Sequence, residues 1–513
     1  MAKLNEMNTT PFIALLLASC LAMALLLNIS AGRASAGAVS LPGSAHTAGS
    51  FAITSLMLQD SWHSDGDQIG ADYAFAVASA GDVNGDGYSD LIVGAPKYTV
   101  RFDKEGAAFV FLGAASGMSA EPAWTAAGGL KGSAFGSAVA CAGDVNADGF
   151  DDVIVGAHRY NGGEPGEGAA FLYLGGEDGL ANEPAWSFQP DLKDTQFGYA
   201  VSGGGDLNKD GFADVVVGAN WYADSGDNQG AVYVFHGDKD GLTPNPVLLL
   251  AGTQTGATFG SAVSAAGDIN GDGYDDVIVG APNFDRYEGD DVGAVFLYYG
   301  SSQGLNATAR WFDLGDQSDT GFGIAVDSAG DFNNDGFADL VVGAPHHNND
   351  LFGEGSVFVY YGASAGLSQI PDWHAGIDQT GTEFGFSAAT AGDVNQDGCD
   401  ELLVGAYLYN GYLNNEEGAV FVFSGGSSGL EEGYGWLGEG NKARSLFGYA
   451  ARGAGDVNGD GYADLIVGAH GYFLNVKEPL GRATLYLGEG SEGPLPTEEP
   501  ETDFKALLPL LSR

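Results

Sequence analysis

An acidic nine-residue segment, Asp-x-Asn-x-Asp-Gly-x-x-Asp, returns seven times along this chain at intervals of 62 or 63 residues. A period of that length marks a repeat architecture, in which each unit is one supersecondary element and neighbours share a core. The 513 residues therefore cannot be divided by length into conventional domains.

The segment also states a chemistry. Position 1 is Asp82, Asp144, Asp206, Asp268, Asp331, Asp393 and Asp456, and position 3 is Asn84, Asn146, Asn208, Asn270, Asn333, Asn395 and Asn458. Position 5 is Asp86, Asp148, Asp210, Asp272, Asp335, Asp397 and Asp460. Position 9 is Asp90, Asp152, Asp214, Asp276, Asp339, Glu401 and Asp464, the longer Glu401 being the departure. Alternate residues of a tight turn can aim six to eight oxygens at a hard cation such as Ca²⁺. The side chains at positions 1, 3, 5 and 9 are the expected ligands. The backbone carbonyl at position 7, from Tyr88, Phe150, Phe212, Tyr274, Phe337, Cys399 and Tyr462, completes each set of up to seven calcium sites. Gly at position 6 permits the bend. An EF-hand would need Glu at position 12, where every copy has Val, from Val93 to Val467. Asn-Gly and Asp-Gly pairs alone mark only hairpin turns. Repeated clusters of carboxylates without a cation would, however, repel one another.

Each repeat reads as four antiparallel strands. In the fourth, Phe259 to Val263 is built of small residues suited to a crowded centre, and the acidic loop follows. The run from Asp276 to Gly280 is continuously apolar, as in a strand buried on both faces. Gly293 to Gly300 is β-branched and aromatic. A turn at Gly304-Leu305 then leads to an outer strand around Trp311. Radial repetition of such units hides sheet edges, so an all-β propeller of seven four-stranded blades is expected. The last repeat lacks an outer strand, whereas the N-terminal segment has a spare one carrying Trp62. That segment is expected to complete the last blade and close the ring.

Phe-Gly at 135–136, 197–198, 259–260, 322–323, 384–385 and 447–448, with Gly-Ala-Pro at 94–96, 280–282 and 343–345, resembles the FG-GAP repeat of integrin α-subunit propellers. The resemblance spans residues 51–488 and implies a seven-bladed propeller with calcium in its hairpin loops. The first repeat is read with Phe75-Ala76 in the Phe-Gly slot, and Gly-Ala-His replaces Gly-Ala-Pro at 156–158 and 468–470. Leg domains and an inserted adhesion domain find no counterpart here, so the chain reads as a freestanding propeller.

A net charge of −49 argues against nucleic acid, whose phosphates need clustered Lys and Arg. Residues 1–36 read as an export signal, with an apolar run from about Phe12 to Ile29 and Ala34-Ser35-Ala36 as the cleavage site. Leu17-Ala18-Ser19-Cys20 resembles a lipoprotein box, although the apolar run continues past it, and the run also approaches membrane-spanning length. Residues 37–50 form a linker, and 489–513 form an acidic Pro/Gly-rich linker with a short apolar tail. Cys141 and Cys399 lie in different repeats and do not suggest a disulfide. No segment beyond the signal is long enough to span a bilayer, and a monomer is expected.

The loops between second and third strands fall on the face opposite the acidic loops. They include His158-Arg159-Tyr160, Asn220-Trp221-Tyr222, Asn283 to Tyr287, His346-His347-Asn348, Tyr407-Leu408-Tyr409 and His470 to Phe473. Loops on a rigid scaffold carry binding residues, and these side chains suit an extracellular protein or carbohydrate ligand. A secreted or cell-surface adhesion and interaction module is the expected function. A polysaccharide- or phospholipid-processing enzyme and a structural envelope protein are the alternatives. Gly-x-Ser-x-Gly occurs at 300–304, 362–366 and 425–429, but each copy is part of the repeated Gly-Leu turn between strands and not a strand-to-helix elbow. With no zinc-ligand spacing and no phosphate loop, no catalytic residue is assigned.

Overall fold

The computed structural model describes residues 56–489 except 225–227, 329, 350, 412–414 and 475–477. The chain divides into two compact units, Met1–Ile53 and Thr54–Arg513, and every described residue lies in the second. The expected signal, the linker that follows it and the C-terminal tail beyond Glu489 lie outside the described residues.

Seven four-stranded antiparallel sheets stand around a common axis. The first blade runs Ala76–Gly81, Asp90–Ala95, Ala107–Phe111 and Trp124–Ala127, from the axis outward. Blades 2 to 6 repeat this order. The seventh blade runs Ala450–Gly455, Asp464–Ala469 and Arg482–Glu489, and its outer strand is Met57–Asp65 from the N-terminal end. The pairing register runs from Met57 opposite Glu489 to Asp65 opposite Arg482, with one irregularity between Asp60 and Trp62. The Arg482 guanidinium grips the Asp65 carboxylate through Nε at 2.6 Å and a terminal nitrogen at 2.8 Å. Ring closure is therefore as the sequence predicts.

Second strands are buried along their whole length, which explains their uninterrupted apolar runs. The core is a cycle of shared clusters, each filled by two adjoining blades. One of them joins Val77, Leu91 and Phe111 of blade 1 to Ile466 and Leu485 of blade 7. Outer-strand tryptophans join blades at the rim. Trp124 sits edge-on to Tyr173 of blade 2 with ring centres 4.7 Å apart, and its indole N–H donates to the Ala181 carbonyl at 2.9 Å. Trp62 makes the same contacts across the closing seam, to Phe111 at 5.0 Å and to the Ser119 carbonyl at 3.0 Å. In blade 3 the outer strand Leu248–Ala251 supplies Leu250 instead.

The motif glycines mark close approaches between blades. A Cβ on Gly280 would stand 2.0 Å from the carbonyl oxygen of Gly323, so the second strand of blade 4 meets the Phe-Gly of blade 5 backbone to backbone. This contact corrects the first repeat. The partner of Gly468 is the Ala74 carbonyl, and the partner of Gly481 is the Tyr73 carbonyl. Tyr73-Ala74, not Phe75-Ala76, occupies the Phe-Gly slot, because Tyr73 lies nine residues before its acidic loop as Phe135 does. Tyr73 packs on Phe109 at 5.6 Å, much as Phe135 packs on Phe171 at 5.5 Å.

Candidate metal centres

All seven acidic loops lie on one face, joining first strands to second strands. The residue at position 8 of each loop donates its amide to the position 1 carbonyl of the preceding loop. The bonds run from Ser89 to Asp456 (3.0 Å), Asp151 to Asp82 (3.1 Å) and Ala213 to Asp144 (3.1 Å), and on through Asp275, Ala338, Asp400 and Ala463. The loops thus form a closed hydrogen-bonded ring.

Within loop 1, Asp82 Oδ1 accepts the amides of Gly85 (2.7 Å) and Asp86 (3.0 Å), and Oδ2 accepts that of Gly87 (2.8 Å). Asn84 Oδ1 accepts the Asp86 amide at 3.0 Å, and Asp86 Oδ1 accepts the Tyr88 amide at 3.1 Å. Such side-chain bonds to near backbone hold a turn whose Gly87 has φ 88°. The Asn84 amide nitrogen donates to Asp86 Oδ2 at 3.0 Å, and loops 2, 5 and 7 repeat this. In the others it turns away: Asn208 to His236 (3.1 Å), Asn270 to Asp276 (3.3 Å) and Asn395 to Glu401 (2.8 Å).

Position 9 opens the second strand or directly precedes it, and is buried in every copy. Asp90 Oδ2 accepts the Val83 amide at 3.0 Å and Oδ1 the Gly113 amide at 2.8 Å. Glu401 takes the same place, accepting the Val394 amide at 2.9 Å, so its extra methylene is absorbed without losing the contact. Burial pushes the carboxyls of Asp90, Asp152, Asp214, Asp276, Asp339 and Asp464 up to about 7, and that of Glu401 to about 8. The two amides pull each value back, and the acids at positions 1 and 5 push it up.

Among the described residues no three His, Cys, Asp or Glu side chains are drawn together as a metal-holding cluster. The loop carboxylates are engaged instead with backbone amides. Each carboxylate still has lone pairs beyond those bonds, about four sites per group. The ion pairs among the described residues involve no loop acid. The donor set, oxygen throughout and short of positive charge, fits a hard divalent cation.

Two groups of acids escape the sequence reading. Asp151, Asp275 and Asp400, at position 8 of loops 2, 4 and 6, turn their carboxylates back to the preceding loop. There they accept the amides of Asp82 (2.9 Å), Asp206 (2.7 Å) and Asp331 (2.9 Å). Glu105, Glu167, Glu354 and Glu417 are buried on the opposite side, before the third strands. Glu105 Oε1 accepts the amides of Val100 (3.0 Å) and Phe102 (2.9 Å), which shapes its loop. Their signal in the sequence is the Glu-Gly pair at 105–106, 167–168, 354–355 and 417–418.

The opposite face is mixed. Asn220, Tyr222 and His347 are buried, whereas Trp221 and Tyr287 are 44% and 71% exposed. Phe102, Leu351, Phe352 and Leu474 add further exposed apolar side chains to the same loops. Near the axis Phe75, Phe386, Tyr407, Tyr449 and His470 pack together, with Tyr449 5.0 Å from Phe75 and 4.4 Å from His470. His346 and His347 face different partners. His346 Nε2 lies 3.1 Å from Glu383, while His347 is held between Ser356 Oγ (2.9 Å) and Asp316 (3.1 Å). That Ser-His-Asp row has the composition of a hydrolase relay, but Ser356 is wholly buried and its hydroxyl cannot meet a substrate. Cys141 and Cys399 are free thiols in separate blades.

The FG-GAP repeat model matches seven segments, 74–111, 135–173, 197–235, 259–298, 322–360, 384–423 and 447–486, together more than half of the chain. Integrin alpha-4 of Xenopus laevis is 39% identical over 160 residues, 30% of this chain and 15% of the relative. Integrin alpha-6 of Gallus gallus is 40% identical over 157 residues, 29% of this chain and 13% of the relative. Integrin alpha-5 of Xenopus laevis is 31% identical over 218 residues, 41% of this chain and 20% of the relative. The chain thus spans a fifth or less of the length of these relatives.

Proposed function

The chain belongs to the FG-GAP repeat family, and from that premise we propose that it is an exported, monomeric interaction module with calcium in its seven acidic loops and a partner on the opposite face. In each loop the side chains at positions 1, 3, 5 and 9 and the carbonyl at position 7 would hold the ion. An all-oxygen set favours Ca²⁺ over zinc or copper. Bound there, the cation supplies the counter-charge that the loop acids lack. Seven such loops fasten the hairpins of one face, and exported calcium modules work at roughly 10⁻⁴–10⁻³ M calcium.

The observation that carries the partner assignment is the exposed apolar set on the loops between second and third strands. Phe352 is 81% exposed and Tyr287 71%, and Trp221, Phe102 and Leu474 extend the set to other blades. Aromatic side chains left in solvent on a rigid scaffold are what an interface core is made from. The similarity to integrin α chains supports an extracellular protein or carbohydrate ligand and a secreted or cell-surface location. Among the described residues no helix is long and apolar enough to cross a membrane. The burial of Ser356 favours binding over hydrolysis at the one Ser-His-Asp row noted above.

The test is binding of the full chain in calcium to immobilised extracellular-matrix glycoproteins and polysaccharides. The combined Trp221→Ala, Tyr287→Ala and Phe352→Ala variant should lose at least roughly tenfold in affinity. A control changed at Val247 and Ile370, which flank outer strands, should bind as wild type. Wild-type protein that binds nothing on the panel, or a loop variant that binds as well as wild type, would contradict the assignment.

A further inference from the structure

All seven junctions between neighbouring acidic loops share one backbone bond, from the position 8 amide to the position 1 carbonyl of the loop before. Three junctions carry a second bond in the reverse sense. There Asp151, Asp275 and Asp400 accept the position 1 amides of Asp82, Asp206 and Asp331 at 2.7–2.9 Å. The residue making this clamp is followed directly by the position 9 acid of its own loop: Asp152, Asp276 or Glu401. The first ligand residue of one loop and the last of the next are thus held in one rigid unit. The fit is close, since a Cβ on Gly81 would stand 2.3 Å from Asp151 Oδ2 and one on Gly330 1.9 Å from Asp400 Oδ2. At the other four junctions position 8 is Ser89, Ala213, Ala338 or Ala463, which have no carboxylate to offer.

We propose that Asp151, Asp275 and Asp400 are positioning residues that couple the cation loops into three pairs, 1 with 2, 3 with 4 and 5 with 6, leaving loop 7 to act alone. The inference rests on the calcium reading above. An ion that orders one loop of a pair fixes the clamp, and the clamp fixes the ligand backbone of its neighbour, so the second ion meets a site already ordered. The seven loops are alike in ligand residues but not in coupling.

Calorimetric calcium titration of the full chain tests this. Wild type should show six sites filling in cooperative pairs and one independent site. Asp151→Ala should weaken two of the seven sites roughly tenfold and abolish cooperativity in that pair alone, leaving five sites unchanged. Asp151→Asn, whose amide oxygen can still accept the Asp82 amide, should restore the wild-type isotherm. In chelator Asp151→Asn should melt as wild type and Asp151→Ala only slightly lower, as loss of one hydrogen bond requires, so that weakened calcium binding beyond that small shift reports coupling and not a purely structural role. An Asp151→Ala isotherm identical to wild type, or one with all seven sites weakened alike, overturns the pairing and leaves the calcium reading standing. Equal weakening by Ala and Asn also overturns it, because charge and not the clamp would then be responsible. A wild-type protein that binds no calcium overturns the calcium reading and the pairing with it.

Discussion

Buried carboxylates do two kinds of work in this molecule, and position in the repeat decides which. At position 9 they stand beside two other loop acids, whereas Glu105 is sealed into a loop of the opposite face by the amides of Val100, Phe102 and Gly129. The first kind is legible in the sequence, because oxygen-bearing residues at fixed offsets recur seven times. The second is not, since a single Glu in a polar loop looks like a solvated charge. The clamp residues were hidden for a related reason: in Asp151-Asp152 the first acid reads as a neighbour of the second. Buried histidines give this scale its prediction. Burial pushes the imidazoles of His158 and His470 down to about 4, below their ordinary 6.5. Above 6.5 both are neutral, folded or unfolded. As pH falls below 6.5 the unfolded chain takes up protons that these two folded imidazoles refuse, so their own contribution to stability declines toward pH 4, opposite in sign to that of the position 9 carboxyls. Each residue should cost roughly 2 kcal/mol at pH 5. Between pH 7.5 and 5.0, chemical denaturation should show stability changing more favourably for His158→Asn than for wild type, by roughly 2 kcal/mol; equal changes would contradict this.

Among the elements, the outer strand Met57–Asp65 has a special duty, because it completes the last blade from the opposite end of the array. Trp62 repeats across the seam what Trp124 does between blades 1 and 2, filling the edge of Phe111 and bonding the Ser119 carbonyl. Trp62 is only partly buried, so Trp62→Ala should cost about 2–3 kcal/mol of stability, less than a full core truncation. Urea unfolding would show it as a lowered midpoint, and a loss below about 1 kcal/mol would mean that the seam is held elsewhere. Strand identities were largely open to reading, since second strands buried on both faces must be continuously apolar and the missing outer strand announced the closure. The first Phe-Gly slot was not. Tyr73-Ala74 has neither residue of the motif, and Phe75 two places later offers a misleading aromatic. Only the nine-residue distance to Asp82 and the backbone contact of Gly468 with Ala74 settle the register.

The whole molecule sorts its chemistry by face. Acidic loops joined in a closed chain of hydrogen bonds occupy one side, and exposed aromatic loops the other. The period of the repeat made this division readable, because a blade's alternate turns must fall on opposite sides. What the exposed loops bind was not readable, since packed residues such as Tyr222 and His347 share these loops with exposed ones such as Trp221 and Tyr287. If calcium fastens the acidic face, its removal should loosen the whole ring. The most direct test is thermal unfolding of the full chain in millimolar calcium and in excess chelator, with bound calcium counted in the same preparation. Close to seven ions per chain and a melting temperature lower by more than roughly 10 °C in chelator are expected, as linkage at several sites requires. No bound calcium and an unchanged melting temperature would contradict it.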